Sequence, residues 1–376
     1  MRETLPGTID PPLDGFHFDV PEATYRAWRA ANWSWLKTGS SPNTMSHMEW
    51  DALNPDESES TEAQKFGTLW HRCLLEPSRA RESYVVQPRT YPVMKKAPGA
   101  PGSVALADSG LGYVYSVGRA ANRERFAMPT IWEDDPPHWA FDIGGGHEED
   151  LLMVETKWST NATWCKRWIA DREAKGKDVV KAKDLEAAQN MCREIHKLPD
   201  FQRAIDGAKF EVSIVWTDPD TQIRCKARLD VWNPETGQIA DAKKTGKSAA
   251  WDRFERDVWY YRYHCQMAMY RDGANVLLAK EGQELPSPGL FRLIVVEDWG
   301  GHEGAIYKMV DDPRAPTYPL FRDGRETYRG MLLGVKNANN DGYWPPHNPG
   351  PGGLTEEAIP ELSDWMLGRL GEGQQI

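Results

Sequence analysis

The chain has 376 residues, of which 27% are charged, and a net charge of −11. These values are typical of a globular protein and argue against one that coats nucleic acid through bulk charge, although they permit a local basic groove. The five cysteines are scattered and include no CxxC pair. The sequence therefore predicts neither a disulfide framework nor a structural zinc site, and it indicates a reducing cytoplasm. No signal peptide and no run of ~20 apolar residues is evident, so we expect a cytoplasmic protein without a membrane span.

The first part of the chain is predicted to be helical. Two short amphipathic segments, 21–37 and 43–54, precede a longer helix over 61–76. The longer helix begins with a capping box, because Thr61 is followed three residues later by Gln64.

The middle of the chain is harder to interpret. Prolines and a glycine triplet interrupt 89–160, which we interpret as an irregular insertion with some strand content. Two further helices are expected, one over 163–180 and one from Asp184 to the residue before Pro199.

An antiparallel meander of three strands follows at 209–217, 223–232 and 239–245. The first two runs alternate apolar and polar residues at the period of a strand. The turns DPDTQ and NPETGQ between the runs carry the Asp, Asn, Pro and Gly residues typical of hairpins.

The remaining elements complete an α+β pattern. A helix that stops at Gly273, a buried strand over 290–299 and a helix over 318–340 are predicted. A Pro/Gly-rich segment, 347–376, ends in a short helix. We expect an α+β fold in which a mixed central sheet with an antiparallel meander is flanked by helices, as a single elaborated domain over 1–376.

Charged residues cluster on this meander. Asp241 and Lys243 are two residues apart on one strand and share a face, and Asp230 lies on the neighbouring strand, within about 5 Å if the register agrees. Glu211 starts the first strand and could reach the same edge. These residues are either solvated hairpin charges or a site, and D-x-K alone favours the former.

Three carboxylates beside a lysine fit one kind of chemistry. Carboxylates that repel one another are stabilised by a cation, and hard oxygen ligands suit Mg²⁺, with Mn²⁺ as a substitute. A metal held in this way lowers the pKa of an attacking water and neutralises charge on a phosphate. The cluster thus predicts metal-assisted phosphodiester hydrolysis.

Four motifs in order strengthen this interpretation: GTLWH at 67–71, the RLD and DAK segments of the meander, QMAMY at 266–270, and GYWP followed by IPELSDW. Together they resemble the PD-(D/E)XK nuclease superfamily and, within it, the RecE (exonuclease VIII)-like exonucleases of phages and prophages. The resemblance implies a restriction-endonuclease-like core.

The resemblance also implies a role for each residue of the site. Metal coordination is expected from His71, Asp230, Asp241, Glu211 and the backbone carbonyl of Ala242. Lys243 is expected to activate the nucleophilic water. Gln266 and Tyr270, four residues apart on one helical face, are expected to position the lysine or the DNA backbone.

Each of these roles has an ordinary structural alternative. A helical histidine such as His71 is often a packed or an exposed residue, and Gln266 with Tyr270 fits a core-facing polar pair. Lys244 stands where the family often has threonine, so the inward-facing lysine is ambiguous. Strand alternation favours Lys243.

DNA binding on an acidic protein has to be local. Arg224, Lys226 and Arg228 alternate along one face of the second strand, and Lys244 and Lys247 follow Lys243. They form a candidate phosphate track, which we call the basic track. The same alternation describes a solvated strand face.

Two kinds of cofactor are not expected. No cysteine follows Cys265, so the chain lacks the carboxy-terminal group that the iron-sulfur relatives of this superfamily use. The GGGHEED segment lacks the lysine and hydroxyl of a phosphate-binding loop, which argues against a nucleotide cofactor.

The leading hypothesis is a Mg²⁺-dependent 5′-to-3′ exonuclease that acts on double-stranded DNA ends. It would leave 3′ single-stranded tails for a single-strand annealing protein in recombination and would work as a homo-oligomeric ring of phage or prophage origin. The alternatives are an endonuclease of the same superfamily and a catalytically silent DNA-binding or assembly protein.

Overall fold

The structure is a computed structural model. It describes residues 3–39, 44–54, 61–96, 114–116, 151–283 and 289–345. Within it the chain forms two compact units, one from 1–75 together with 190–376 and one from 76–189.

A six-stranded sheet is the centre of the first unit. Its order is β1-β7-β8-β9-β10-β11, and every neighbouring pair is antiparallel except β9 and β10, which run parallel. Helices flank this sheet, so the predicted α+β fold with a mixed sheet is confirmed. The strands of the sheet are β1 Gly15–His17, β7 Lys209–Thr217, β8 Arg224–Asn233, β9 Gln238–Thr245, β10 Gly289–Glu297 and β11 Gly304–Asp311.

Most of the helices described in this unit bury apolar residues, whereas the six-residue helix Glu22–Ala27 buries none. The helices that lie wholly within the unit are α1 Glu22–Ala27, α2 Trp33–Leu36, α3 Met45–Leu53, α4 Glu62–Leu75, α8 Pro199–Ile205, α9 Trp251–Tyr260, α10 Tyr263–Lys280 and α11 Tyr318–Asp341. The predicted capping box opens α4, with the Thr61 amide donating to Gln64 Oε1 at 2.8 Å and the Gln64 amide donating to Thr61 Oγ1 at 3.2 Å.

The helix after the meander differs from its prediction. It is two helices, α9 and α10, separated at Arg262, whose backbone is left-handed with φ 56°. Gly273 does not end α10, which continues to Lys280. A Cβ at Gly273 would lie 2.9 Å from atoms of the Trp216 ring, so the glycine allows α10 to pack closely against β7.

Two small sheets lie in the part of the second unit that the structure describes. Strands β3 Thr90–Lys96 and β4 Val114–Ser116 pair antiparallel with β5 Leu151–Lys157, within the segment interpreted as an insertion. Strands β2 Tyr84–Val86 and β6 Asp178–Val180 pair in parallel. The helices described in this unit are α5 Pro77–Ser83 and α6 Thr163–Ala174, and α7 Ala182–His196 begins in it.

Three further expectations concern the whole chain. All five cysteines are free thiols. Among the described residues, no helix has the length and apolar character that crossing a membrane requires. The single domain over 1–376 stays a prediction, and the segment 347–376, which includes the IPELSDW motif, lies outside the described residues.

Candidate active site

A divergence of two strands creates the candidate site. β8 and β9 pair at only three positions, the last of which joins Val231 to Ala240, while β9 continues alongside β10 as far as Thr245. Beyond the divergence the backbone of Ala242 needs other partners. Its amide donates to Asp230 Oδ2 at 2.8 Å, and its carbonyl bonds His71 Nε2 at 2.9 Å.

His71 therefore lies where the sequence predicts, at the sheet edge. It projects from α4, and its Nδ1 is 3.6 Å from Asp230 Oδ2. His71, Glu211 and Asp230 each offer one ligand atom, and these atoms all lie within 4.8 Å of one another. The donor set of one imidazole and two carboxylates, with the Ala242 carbonyl beside it, fits a divalent cation such as Mn²⁺ or Mg²⁺.

Glu211 has an unusual backbone at this position. The register of β7 and β8, which pairs Phe210 with Val231 and Val212 with Leu229, places Glu211 opposite Asp230. Its φ is 52°, a left-handed conformation that costs a non-glycine residue about 1 kcal/mol. The Glu211 carboxylate also accepts a hydrogen bond from Arg228 Nε. Strain of this kind tends to lie at functional sites.

Asp241 and Lys243 lie beside this group of three. The Lys243 ammonium forms an ion pair with Asp241 Oδ2, and Gln266 Nε2 donates to Asp241 Oδ1 at 3.0 Å. The Gln266 amide also hydrogen-bonds the hydroxyl of Tyr270. Gln266 thus holds Asp241 directly and Tyr270 contacts Gln266, while direct metal ligation by Asp241 stays a prediction.

Tyr263 is a site residue that the sequence interpretation missed. Its ring lies under the Lys243 ammonium, with the nitrogen 4.8 Å from the ring centroid. The signal was present in the spacing, because Tyr263 precedes Gln266 by three residues and Tyr270 by seven, which places all three on one face of α10.

The electrostatics of the site disfavour the ionised form of Asp230. Burial and the nearby Asp241 raise the pKa of Asp230 from 3.8 to about 7. Burial disfavours the Lys243 ammonium, but Asp241 and Asp230 outweigh that effect and raise the pKa of Lys243. Buried carboxylates that repel one another favour the binding of a further cation.

Comparison with known proteins agrees with this geometry. Residues 147–345 match a family model described as a PDDEXK-like domain of unknown function (DUF3799). The chain belongs to this family. The match places it in the PD-(D/E)XK nuclease superfamily and accords with the restriction-endonuclease-like core implied by the sequence motifs.

The other comparisons add little to that assignment. No curated protein matches the chain. A solved structure from Eubacterium rectale, described as "Putative exonuclease", is 15% identical, covers 55% of this chain and 74% of that one, and has a TM-score of 0.32. At that TM-score the likeness carries no argument about this chain.

The PDDEXK-like core separates the two adjacent lysines as strand alternation predicts. Lys244 points away from Asp241, pairs with Asp298 Oδ2 at 2.9 Å and lies over the ring of Phe66. A Cβ at Gly67 would meet Lys244 Cε at 3.7 Å, an ordinary contact. The glycine of the GTLWH motif is therefore not required by a close approach of α4 to the sheet.

The basic track is not continuous in this family member. Lys226 is only 1% exposed, and its ammonium donates to the backbone carbonyls of Tyr25, Arg26 and Trp28. The interpretation of Lys226 as a phosphate contact is therefore wrong: its charge is used inside the protein, where burial lowers its pKa to about 8.

The other members of the basic track each pair with an acid. Arg224 binds Asp14 at 2.6 Å and lies six residues along β8 from Asp230, roughly 20 Å for an extended strand. Arg228 is at the site itself through Glu211. Lys247 pairs with Asp257 at 3.0 Å but keeps 66% of its side chain exposed, so it stays a candidate phosphate contact.

Proposed function

We propose that this protein is a metal-dependent nuclease that hydrolyses DNA phosphodiester bonds. The observation that carries the proposal is the convergence of His71, Glu211 and Asp230 within 4.8 Å of one another, next to the Asp241–Lys243 pair. The PDDEXK-like family supports it, because the superfamily is one of nucleases.

The residues present fit a divalent metal. Two carboxylates, a histidine and the Ala242 carbonyl supply the oxygen and nitrogen donors, and a bound cation would favour the ionised form of Asp230, whose pKa is raised to about 7 by burial and by Asp241. A bound Mg²⁺ or Mn²⁺ would supply Lewis acidity toward the phosphate and a water of lowered pKa.

Residues of the chain position the Lys243 ammonium. Asp241 holds the Lys243 ammonium, and Gln266 fixes the Asp241 carboxylate from the other side. The ammonium is thereby aimed at the space beside Asp230, where it can orient water and offset charge on a phosphate oxygen. The ring of Tyr263 contacts the Lys243 ammonium on its other side through a cation–π interaction.

The finer assignment follows the sequence motifs. We propose a Mg²⁺-dependent 5′-to-3′ exonuclease of the RecE type, active on double-stranded DNA ends and leaving 3′ tails for an annealing protein. A homo-oligomeric ring would provide processivity without a nucleotide cofactor. GTLWH, DAK and QMAMY, which supply His71, Lys243 and Gln266, support this proposal.

A digestion assay tests it. Blunt linear duplex labelled at either 5′ or 3′ ends is incubated with the protein and Mg²⁺ or Mn²⁺, and released nucleotides are resolved over time. Release that begins at the 5′ label supports the proposal. Absence of any cleavage in both metals, with binding retained, would favour a silent DNA-binding protein.

Covalently closed circular DNA distinguishes the endonuclease alternative from the proposed exonuclease. An exonuclease leaves the circle intact, because the circle offers no end. Conversion of the circle to linear or nicked forms by the wild type, but not by Lys243→Ala, would replace the exonuclease with an endonuclease that uses the same site.

A further inference from the structure

An exposed group of aromatic residues lies at the junction of α9 and α10. Trp259, Tyr260 and Tyr261 are 52%, 80% and 46% exposed, although Phe254 and Val258 of the same helix are buried. Three consecutive large aromatic side chains in water are unusual at a surface, and such patches mark interaction sites. We call these three residues the aromatic step.

The aromatic step is connected to the candidate active site by ring contacts. The rings of Tyr260 and Tyr261 meet edge to face at 4.9 Å, and Tyr261 stacks on Tyr263 at 5.6 Å with 25° between the planes. Tyr263 in turn lies under the Lys243 ammonium at 4.8 Å. Each stage is shorter than 6 Å, so the aromatic step is only a few nucleotides from the lysine.

The junction is held in place by its neighbours. Arg262 adopts a left-handed backbone between the two helices, which turns Tyr263 toward Lys243 while Tyr261 stays outside. His264 binds the Val258 carbonyl at 3.1 Å and Asp323 at 3.0 Å, and its ring lies 4.6 Å from that of Trp259. Tyr260 and Tyr261 are restrained by their own ring contacts, and a restrained ring loses little freedom when a ligand stacks on it.

Cations border the two tyrosines of the aromatic step and favour nucleic acid as their occupant, whereas the exposed acid Glu255 lies one turn before Trp259. Arg256 is exposed one turn before Tyr260 on the same face of α9, and Arg262 is half-buried at the junction. Aromatic rings that accept bases next to cations that accept phosphates are the elements of a single-strand binding surface.

We propose that Tyr260 and Tyr261 form a stacking site for the unpaired bases of a DNA strand beside Lys243. This inference rests on the proposed nuclease function and deepens it, since it adds a binding site for frayed or single-stranded DNA next to the reacting phosphate. The rings hold bases that have left the duplex, and Lys243 faces the backbone of the same strand.

The test is a binding measurement in EDTA, where cleavage does not interfere. The probes are a single-stranded oligonucleotide that carries 2-aminopurine and the duplex of the same sequence, titrated with the full chain. Stacking on tyrosine quenches 2-aminopurine. We expect Tyr260→Ala/Tyr261→Ala to abolish the quenching and to weaken single-strand binding by about tenfold per ring.

Three control variants make the result specific. Tyr260→Phe/Tyr261→Phe keeps both rings and should bind within about twofold of wild type, since stacking does not need the hydroxyls. Trp50→Ala removes a 66% exposed aromatic residue on α3 and should bind like wild type. Tyr260→Ala alone, at the more exposed ring, should show an intermediate loss, and thermal melting checks that each variant folds.

Several outcomes would overturn the inference. Unchanged oligonucleotide binding in the double alanine variant would do so, as would an equal loss in the phenylalanine variant, which would indicate hydrogen bonding by the hydroxyls. Light scattering supplies a third outcome, namely a change of self-association with unchanged DNA binding, which would assign the aromatic step to a second copy of the chain.

Failure of this inference is separable from failure of the proposed function. A wild type that cleaves duplex in Mg²⁺ while the double alanine variant binds and cleaves normally would sink the stacking site alone. A wild type that quenches 2-aminopurine through these rings, yet never cleaves DNA, would sink the nuclease proposal and leave the stacking site in place.

Discussion

The charged faces of β8 and β9 look alike in sequence but have different surroundings in the structure. On β9, Asp241 and Lys243 face the divergence of β8 and β9, where one ion pair lies beside three possible metal ligands. On β8, Lys226 points inward to carbonyls at the C-terminal end of α1, and Arg224 is held by Asp14. Alternating charge therefore identifies a strand face without showing whether that face meets solvent, a site or another segment of the chain.

The difference arises from the partners that arrive from elsewhere. The residues before β1 and around α1 cover this part of β8, so Arg224 and Lys226 pair with an acid and with carbonyls more than 190 positions away in sequence. The divergence next to β9 is covered by α4, which brings His71. The following predictions, ordered from the largest expected effect to the smallest, can break or sharpen this contrast.

Loss of the inward lysine should have the largest effect. Lys243→Ala is expected to lower the rate of nucleotide release by about 10²–10³-fold, the usual effect of removing one positioned donor from a phosphate or oxyanion site. Lys244→Ala is the matched control and should stay within about threefold. Comparable losses in both variants would contradict the assignment of the two faces of β9.

Lys226 should matter for stability instead of DNA affinity. Lys226→Met removes the ammonium that the carbonyls of Tyr25, Arg26 and Trp28 share, leaves the buried Trp28 carbonyl without this donor, and is expected to lower the free energy of unfolding by about 3 kcal/mol. Urea denaturation measures the change. Lys336→Met, which removes a half-buried lysine that binds one carbonyl at the surface, should change it by less than about 0.5 kcal/mol. If the Lys226→Met protein were as stable as wild type but bound DNA more weakly, Lys226 would be a phosphate contact of the basic track after all.

His71 should control metal affinity. His71→Ala is expected to weaken Mn²⁺ binding by about 10–100-fold, as calorimetry in the absence of DNA would show. His196→Ala removes an exposed histidine at the end of α7 and should have no effect. Equal affinities in wild type and His71→Ala would exclude the histidine as a ligand.

The raised pKa of Asp230 gives a pH dependence. Between the ordinary pKa of 3.8 and the folded value of about 7, the metal-free folded protein keeps a proton that the unfolded chain has released. Its stability therefore falls as the pH rises through this window. Because a metal competes with that proton, Mn²⁺ affinity should be about tenfold higher at pH 8 than at pH 6. Melting scans in EDTA and calorimetry at both pH values measure the two effects, and Asp230→Asn should remove both.

The smallest effects concern the remaining cations. Arg224→Gln should leave duplex affinity within about twofold, since Asp14 already neutralises the guanidinium far from Asp230. Lys247→Gln, at an exposed side chain, should reduce the slope of log affinity against log salt by about one. A larger loss of duplex affinity for Arg224→Gln than for Lys247→Gln would indicate that DNA runs past the Arg224 end of β8.

Local patterns predicted much of the fold and most of the site. Alternation and turn residues define the meander, the Thr61–Gln64 capping box defines the start of α4, and the i, i+4 spacing pairs Gln266 with Tyr270. These signals work because they depend on backbone geometry over a few residues.

Features set by distant partners were beyond such patterns. β1 has three residues and exists through its pairing with Ser213–Val215, about 200 positions away. The left-handed Arg262 that separates α9 from α10 carries no glycine signal. The interpretation of Gly273 as a helix end failed because the glycine makes room for Trp216 of β7. Lys226 was misread because the carbonyls that bind it belong to residues 25–28.

The pairing of β9 has a consequence for how the protein is made. β9 shares three paired positions with its hairpin partner β8 but seven with β10, which is synthesised only after α9 and α10. The position of Asp241 relative to Asp230 therefore depends on the parallel pairing of β9 with β10. Contacts between strands so far apart in sequence form slowly. A ribosome-bound chain that ends before residue 289 should contain every ligand of the site without holding them in place, so a growing chain acquires its metal-binding geometry late.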